Sequence, residues 1–319
     1  MNNPGKASGA AIWAGLIAIY IVWGSTYLAI LFVIETIPPF LAAGFRFLIA
    51  GAVLYIFCRL RGDQAPRGIE WRSAALIGLF LLLGGNGGVM WAEQRVSSGI
   101  AALMIASVPL WMALLDAIRP GGRRPSRWVA IGILAGFIGI LVLGGPSQLL
   151  GIEGVVDLLG VSVLLLAAFS WAIGSLYNRG ATLPNSPLLS TAMQMLIGSL
   201  GLLLLGSVTG EWAQLDLAAV STRSWLGLAF LVVFGSWVGF ASYIWLLRVA
   251  PTTLVSTYAY VNPLVAIILG SLLADEQLTA RILLAALFIL SSVVVITMNQ
   301  TASGKSASIR KAPPSAGTD

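Results

Sequence analysis

The sequence predicts an all-α membrane protein with ten transmembrane helices, arranged as two inverted five-helix repeats. Three observations predict it. Of 319 residues, 58% are hydrophobic and 9% charged, whereas a soluble domain carries roughly 25% charged residues to cover its surface. The apolar residues gather into ten runs of bilayer-spanning length. Landmark residues of the first half recur, in order, in the second.

A helix rising ~1.5 Å per residue needs about 20 apolar residues to cross ~30 Å of hydrocarbon. On that ruler the spans fall at 11–33, 37–58, 73–92, 97–116, 128–145, 155–177, 186–207, 224–246, 251–273 and 278–298. The first follows the single Lys6 and is too long for the ~7–15 residues of a signal-peptide core, so it is read as a retained helix. The connections are short and carry turn formers such as Pro38, Pro39, Pro184, Pro187 and Pro251. The organisation is therefore a short N-terminus at 1–10, a first five-helix repeat at 11–145, a second at 155–298 and a polar, disordered tail at 299–319. The 36 glycines suit close helix approach in lipid.

Basic residues near helix ends stay cytoplasmic. Fourteen Lys and Arg fall on the side of the termini, and Arg95, Arg223 and Arg281 fall on the other. Both termini are expected in the cytoplasm, with Glu35, Glu93, Glu276 and other acids outside. The basic pI of about 9.8 is thus a topology signal, and no nucleic-acid partner is expected. Histidine is absent and Cys58 is the only cysteine. That excludes His-based triads, His or Cys zinc sites, Cys-ligated clusters and an internal disulfide. No catalytic residue, metal or cofactor is expected.

The repeat rests on two offsets. One of 148 places Trp23 on Trp171, Pro39 on Pro187 and Arg46 on Gln194; one of 154 places Trp71 on Trp225, Trp91 on Trp245, Pro109 on Pro263 and Arg127 on Arg281. Five helices are an odd number, so the second copy enters the membrane inverted. That architecture serves alternating access, because two halves of similar energy can expose a midplane site to either side in turn.

Candidate site residues follow from depth. Arg46 lies mid-span, where a charge costs a few kcal/mol or more and must find partners. It either grips a substrate carboxylate or ties neighbouring helices together, and Gln194 is its uncharged counterpart. Tyr20, Trp23 and Tyr27 share one helix face. Trp23, Trp111 and Trp237 sit deeper than the interfacial belt, and Trp171 is Trp23's repeat partner; they either line an amphipathic cavity or pack against other helices. Tyr260 and Asn262 form part of a polar stripe beside Pro263. Asn86 lies within Gly84-Gly85-Asn86-Gly87-Gly88, which reads as a tight crossing or a segment that unwinds toward a site. Glu93, at the outer end of the third span, is the nearest candidate for proton coupling, the other reading being a solvated rim charge.

The stretches Trp23-Gly24-Ser25-Thr26-Tyr27, Pro39 through Arg46-Phe47, Gly85-Asn86-Gly87, Ser98-Gly99-Ile100-Ala101-Ala102, Val108-Pro109-Leu110, Ser170-Trp171-Ala172, Ser256 through Asn262-Pro263, and Glu276 resemble the drug/metabolite transporter superfamily. The chain looks closest to the YedA-like branch of the EamA-type carriers of bacterial inner membranes. The resemblance implies a ten-helix bundle of two inverted repeats around a central cavity, and export of amino acids or other small metabolites. It places an Arg at position 46 in carriers of varied substrates, which favours the structural reading of Arg46. The family's acidic residue after the fourth helix of each repeat is present as Glu276, but its first-half equivalent falls near Gly122 in a basic stretch. The expectation is a multi-pass secondary transporter of the inner membrane exporting small metabolites, with a small-molecule substrate, the lipid bilayer as surroundings, and a homodimer admitted. A membrane-embedded enzyme acting on lipid and a carrier-like sensor are the alternatives. The missing P-loop leaves no sign of ATP drive.

Overall fold

The computed structural model describes residues 8–118, 126–149, 157–250, 252–255 and 257–310. Lys6, the basic stretch at 119–124, Ser256 and the tail beyond Arg310 lie outside the described residues. The described chain is helical throughout, without strands. The helices are α1 (Gly9–Ile34), α2 (Pro39–Leu60), α3 (Gly68–Ala92), α4 (Ser98–Ile118), α5 (Arg127–Leu149), α6 (Leu158–Asn178), α7 (Pro187–Val208), α8 (Thr222–Tyr243, its last turns reaching Val249), α9 (Tyr258–Leu273) and α10 (Ala280–Arg310). Seven of them, α1 to α4 and α6 to α8, are long and apolar enough to cross a membrane, and shorter apolar helices occupy Arg127–Leu143, Tyr258–Leu273 and Ala280–Ile296.

Helix starts follow local chemistry. Ser8, Ser97, Asp157, Ser186 and Ser221 each accept a backbone N–H from the first turn of the helix they precede. The helix α3 begins before the expected 73 because the Glu70 carboxylate accepts the Arg67 N–H at 2.6 Å, closing the first turn. Within α4 the α-helix stops at Ile105 and resumes at Val108, where Pro109 has no N–H to offer. Ahead of α9 the expected single span is divided: a turn at Thr252–Val255 precedes the helix at Tyr258. The helix α10 continues past 298 to Arg310, beyond the end of its apolar run.

The hydrocarbon-facing exterior is apolar, with Leu60, Leu166 and Leu204 well exposed. Close contacts are made by small residues. On α2 and α7, a Cβ on Gly44 would sit 2.7 Å from the Leu203 side chain and one on Gly51 would sit 2.9 Å from Met195. Positions rise on one helix as they fall on the other, so the pair is antiparallel. The helices α5 and α10 meet likewise, Gly132 against Ile296 and Gly139 against Ile289. Such contacts let van der Waals packing hold helices together where lipid removes the hydrophobic drive.

Two segments depart from α-geometry. Leu79–Gly87 in α3 and Leu231–Val238 in α8 are π-helical. In each, a side chain donates to the carbonyl five residues back: Asn86 to Leu81 at 3.3 Å and Ser236 to Leu231 at 3.0 Å. Wider turns of this kind recur at functional sites.

Gly51→Leu should separate α2 from α7 and cost about 1–3 kcal/mol through overpacking, read as a lower melting temperature in detergent. Leu204→Ala, on the exposed face, should shift it far less.

Candidate functional site

The π-turn of α8 organises a polar meeting point of three helices. Its Gly235, Ser236 and Trp237 each engage another helix. Trp23 of α1 donates its indole N–H to the Gly235 carbonyl at 3.2 Å. Arg46 of α2 donates from Nε to the Ser236 hydroxyl at 3.3 Å. Trp237 donates to the Ala50 carbonyl of α2 at 3.1 Å, one turn beyond Arg46. Glycine at 235 leaves room for the guanidinium, since a Cβ there would lie 3.1 Å from Nη2 of Arg46.

Arg46 is 4% exposed. Its Nη1 has no partner among the described residues, so the helix-tying role accounts for only part of the guanidinium. Around Trp23 stand Phe240, Tyr243 and Tyr258, with ring centroids 5.6, 5.3 and 5.1 Å away. The indole lies against α8 so closely that a Cβ at Gly239 would collide with it. Tyr27 is half-buried, one turn along α1. Asn262 of α9, 8% exposed, lies next to Gly24 through its backbone carbonyl, and its Oδ1 has no partner among the described residues.

A second meeting point surrounds the π-turn of α3. Trp171 of α6 covers Gly85, and Ser170 donates to the Phe80 carbonyl at 2.7 Å. Asn86 bonds within its own turn, as above. The glycine run is thus a close crossing and a widened helix at once. Gln194 donates to Ser190 on its own helix at 3.1 Å, so no side chain plays Arg46's part here. Trp111 stands edge-on between Phe137 and Phe169, with its indole nitrogen buried and without a partner among the described residues. Tyr260 belongs elsewhere, half-buried against Leu110, Val293 and Ile296 and lining a mainly apolar hollow of about 410 Å³ beside α10. The structure therefore brings Trp23, Arg46 and Trp237 together, sets Trp171 with Asn86 at the second π-turn, and leaves Tyr260 and Gln194 outside both.

The starts of α2 and α4 are held by two carboxylates, Glu211, which sequence reasoning did not single out, and Glu276, which the resemblance did. Glu211, in the single turn after α7, accepts the Leu41 N–H at 2.8 Å and the Phe40 N–H at 3.2 Å. Burial lifts its carboxyl above the ordinary range while those N–H groups pull it back. Glu276 accepts the Ser98 N–H at 2.6 Å and the Gly99 N–H at 3.2 Å. Asp275, with φ of 54°, turns the chain back so that Glu276 reaches α4. Both carboxylates satisfy open N–H groups at a helix start, where negative charge is favoured. Ser236 and Glu211 gave no pattern in the sequence, because their partners lie 190 and 170 residues away.

Glu93, just past α3, is 3% exposed, and neither carboxylate oxygen has a partner among the described residues. It borders a hollow of about 600 Å³ whose rim includes Glu35, Pro38, Gln94 and Asp216. Two exposed ion pairs flank this end: Arg95 with Asp157 at 3.1 Å and Arg223 with Glu35 at 2.9 Å. The Gly160 N–H that caps α6, together with Arg95, holds the Asp157 carboxyl below its usual value. No group of three His, Cys, Asp or Glu side chains able to hold a metal occurs among the described residues.

The EamA-like transporter family matches residues 9–145 and again 158–298. The uncharacterized inner membrane transporter YedA of Escherichia coli strain K12 is 38% identical over 290 residues, covering 91% of each chain. A WAT1-related chloroplastic protein of Arabidopsis thaliana is 30% identical over 287 residues, covering 89% of this chain and 69% of that protein. A solved crystal structure at 19% identity superposes with a TM-score of 0.60 over 92% of this chain and 99% of that one, which shows a shared fold.

Glu276→Gln should remove the charge from two buried-end hydrogen bonds, worth about 1.5–3 kcal/mol to a charged group, and lower the melting temperature. Glu35→Gln, in an exposed pair worth about 0–1 kcal/mol, should change it little.

Proposed function

The chain belongs to the EamA-like transporter family, and on that footing we propose that it is a secondary carrier that exports small carboxylate-bearing metabolites, amino acids and their relatives, by alternating access. The observation that carries the substrate class is the free Nη1 of Arg46. A guanidinium held in lipid depth at a cost of several kcal/mol, with Nε anchored and Nη1 open, offers a donor in fixed geometry to a planar anion. Carboxylate is the small anionic group that this geometry fits best. Trp23, with Phe240 and Tyr258 about it, supplies an amphipathic wall for the apolar part of such a molecule, and Tyr27 and Asn262 extend the polar lining.

The proposed architecture is ten membrane helices in two inverted five-helix repeats. Two contacts support it. Trp23 against Gly239 and Trp171 against Gly85 are related by the sequence offsets, since 171 − 23 = 148 and 239 − 85 = 154. The second and seventh helices pack antiparallel on each other, as do the fifth and tenth, which is how equivalent helices of inverted repeats meet. The fourteen-to-three division of basic residues supports cytoplasmic termini, and in that orientation Glu93, Glu211 and Glu276 face outside.

Counterflow in proteoliposomes tests the reading. Wild-type protein should exchange amino acids but not their decarboxylated amines. Arg46→Gln should lower exchange about 10- to 100-fold, the worth of one charge-assisted hydrogen bond, and Arg46→Lys should recover part of it. Folded Arg46→Gln protein with undiminished exchange of carboxylates would overturn the assignment.

A further inference from the structure

A buried carboxylate that nothing neutralises is the least expected feature of the outer end. Glu93 is 3% exposed with both oxygens unpartnered among the described residues. A carboxylate in that setting loses several kcal/mol of hydration that no donor returns. Its neutral, protonated form loses far less. Glu93 also borders the outward hollow of about 600 Å³, the side from which a proton would reach it.

Its surroundings reinforce the choice of form. Burial first, and then the charge of Glu276, push the Glu93 carboxyl well above the usual carboxylate range. The charged and titratable groups on the elements packed against this end of α3 do not supply a counter-charge. Tyr27 on α1 is a neutral phenol. Glu35 at the end of α1 is paired with Arg223. Arg46 on α2 is turned to Ser236. Asp157 at the head of α6 is paired with Arg95, whose guanidinium also lies over Trp91. Glu276, the one acid that acts on Glu93, is itself held by the N–H groups of Ser98 and Gly99.

We propose that Glu93 is a proton-binding site reached from the outer hollow, and that its proton couples export to the transmembrane pH gradient. The step is a bare protonation: a proton from the outer water adds to the Glu93 carboxylate and later leaves to the cytoplasmic water, with no other bond made or broken. Glu276 makes the site consequential for shape. When Glu93 is ionised it repels the carboxylate that holds the start of α4, and when Glu93 is protonated that grip is undisturbed. The coupling role rests on the carrier reading above; the proton site does not.

The ligand-free test is the pH dependence of stability. A carboxyl raised by folding stabilises the folded chain fully below its unfolded value of ~4.3, and that contribution is lost as pH rises through the folded value. Glu93→Gln keeps the neutral shape and removes the titration, so its melting temperature should overtake that of wild type progressively as pH rises. Parallel melting curves at every pH would overturn the proton site. In proteoliposomes carrying an amino acid, wild-type export should accelerate when the receiving side is made acidic, while Glu93→Gln should move substrate at one rate with and without the gradient. A Glu93→Gln rate that still follows the pH gradient, or wild-type export driven by a sodium gradient at fixed pH, would overturn the coupling. Diverging melting curves with no amino-acid flux in wild type would uphold the proton site and count against the carrier reading alone.

Discussion

Lipid offers no hydrogen bonds, and that constraint shapes every polar group inside this bundle. Each N–H or C=O freed from its helix must find a protein partner, since an unsatisfied one costs several kcal/mol in hydrocarbon. The interior follows the rule in detail. Each π-turn leaves a carbonyl for another helix to occupy: Gly235 takes the Trp23 indole and Phe80 takes the Ser170 hydroxyl. The helix starts that lack a sufficient local cap, at α2 and α4, are closed by carboxylates from far along the chain, Glu211 and Glu276. Against that background the few side-chain groups left open among the described residues stand out, among them Nη1 of Arg46 and the two oxygens of Glu93.

The two π-turns connect packing to mechanism. Each lies on a helix that carries a tryptophan of the neighbouring helix against a glycine, so the helices approach within one ring's thickness. In α8 the turn also presents Ser236 to Arg46, whereas Gln194, the counterpart of Arg46, bonds to Ser190 on its own helix. The halves share a scaffold and differ in charge.

Much of the fold was legible because its cause is local. Apolar length set the ten helical segments, and proline and glycine punctuation set most of their ends. Tryptophan and proline recur at offsets of 148 and 154, and the contacts of Trp23 with Gly239 and of Trp171 with Gly85 are related by those same offsets. The site was read less completely. Sequence depth identified Arg46, Trp23 and Trp237, yet spacing along a helix fixes which residues share a face and leaves open which neighbour that face meets. Tyr260 therefore landed beside α10, apart from the arginine, and Gln194 bonded within its own helix. Ser236 and Glu211 were invisible for the same reason: each acquires its role only from a residue 170 or more positions away.

In the proposed carrier the region between Trp23, Arg46 and Ser236 opens to each side of the membrane in turn. Thr26 borders it from α1, its methyl group lying 3.2 Å from where a Cβ on Gly235 would stand. With the buried Cys58 replaced by serine, Thr26→Cys becomes the only thiol in the chain. Labelling it with a membrane-impermeant thiol reagent applied to inside-out or right-side-out vesicles measures access directly. Alternating access predicts reaction from both sides, with substrate slowing both. Reaction from one side alone, or from neither, would contradict it.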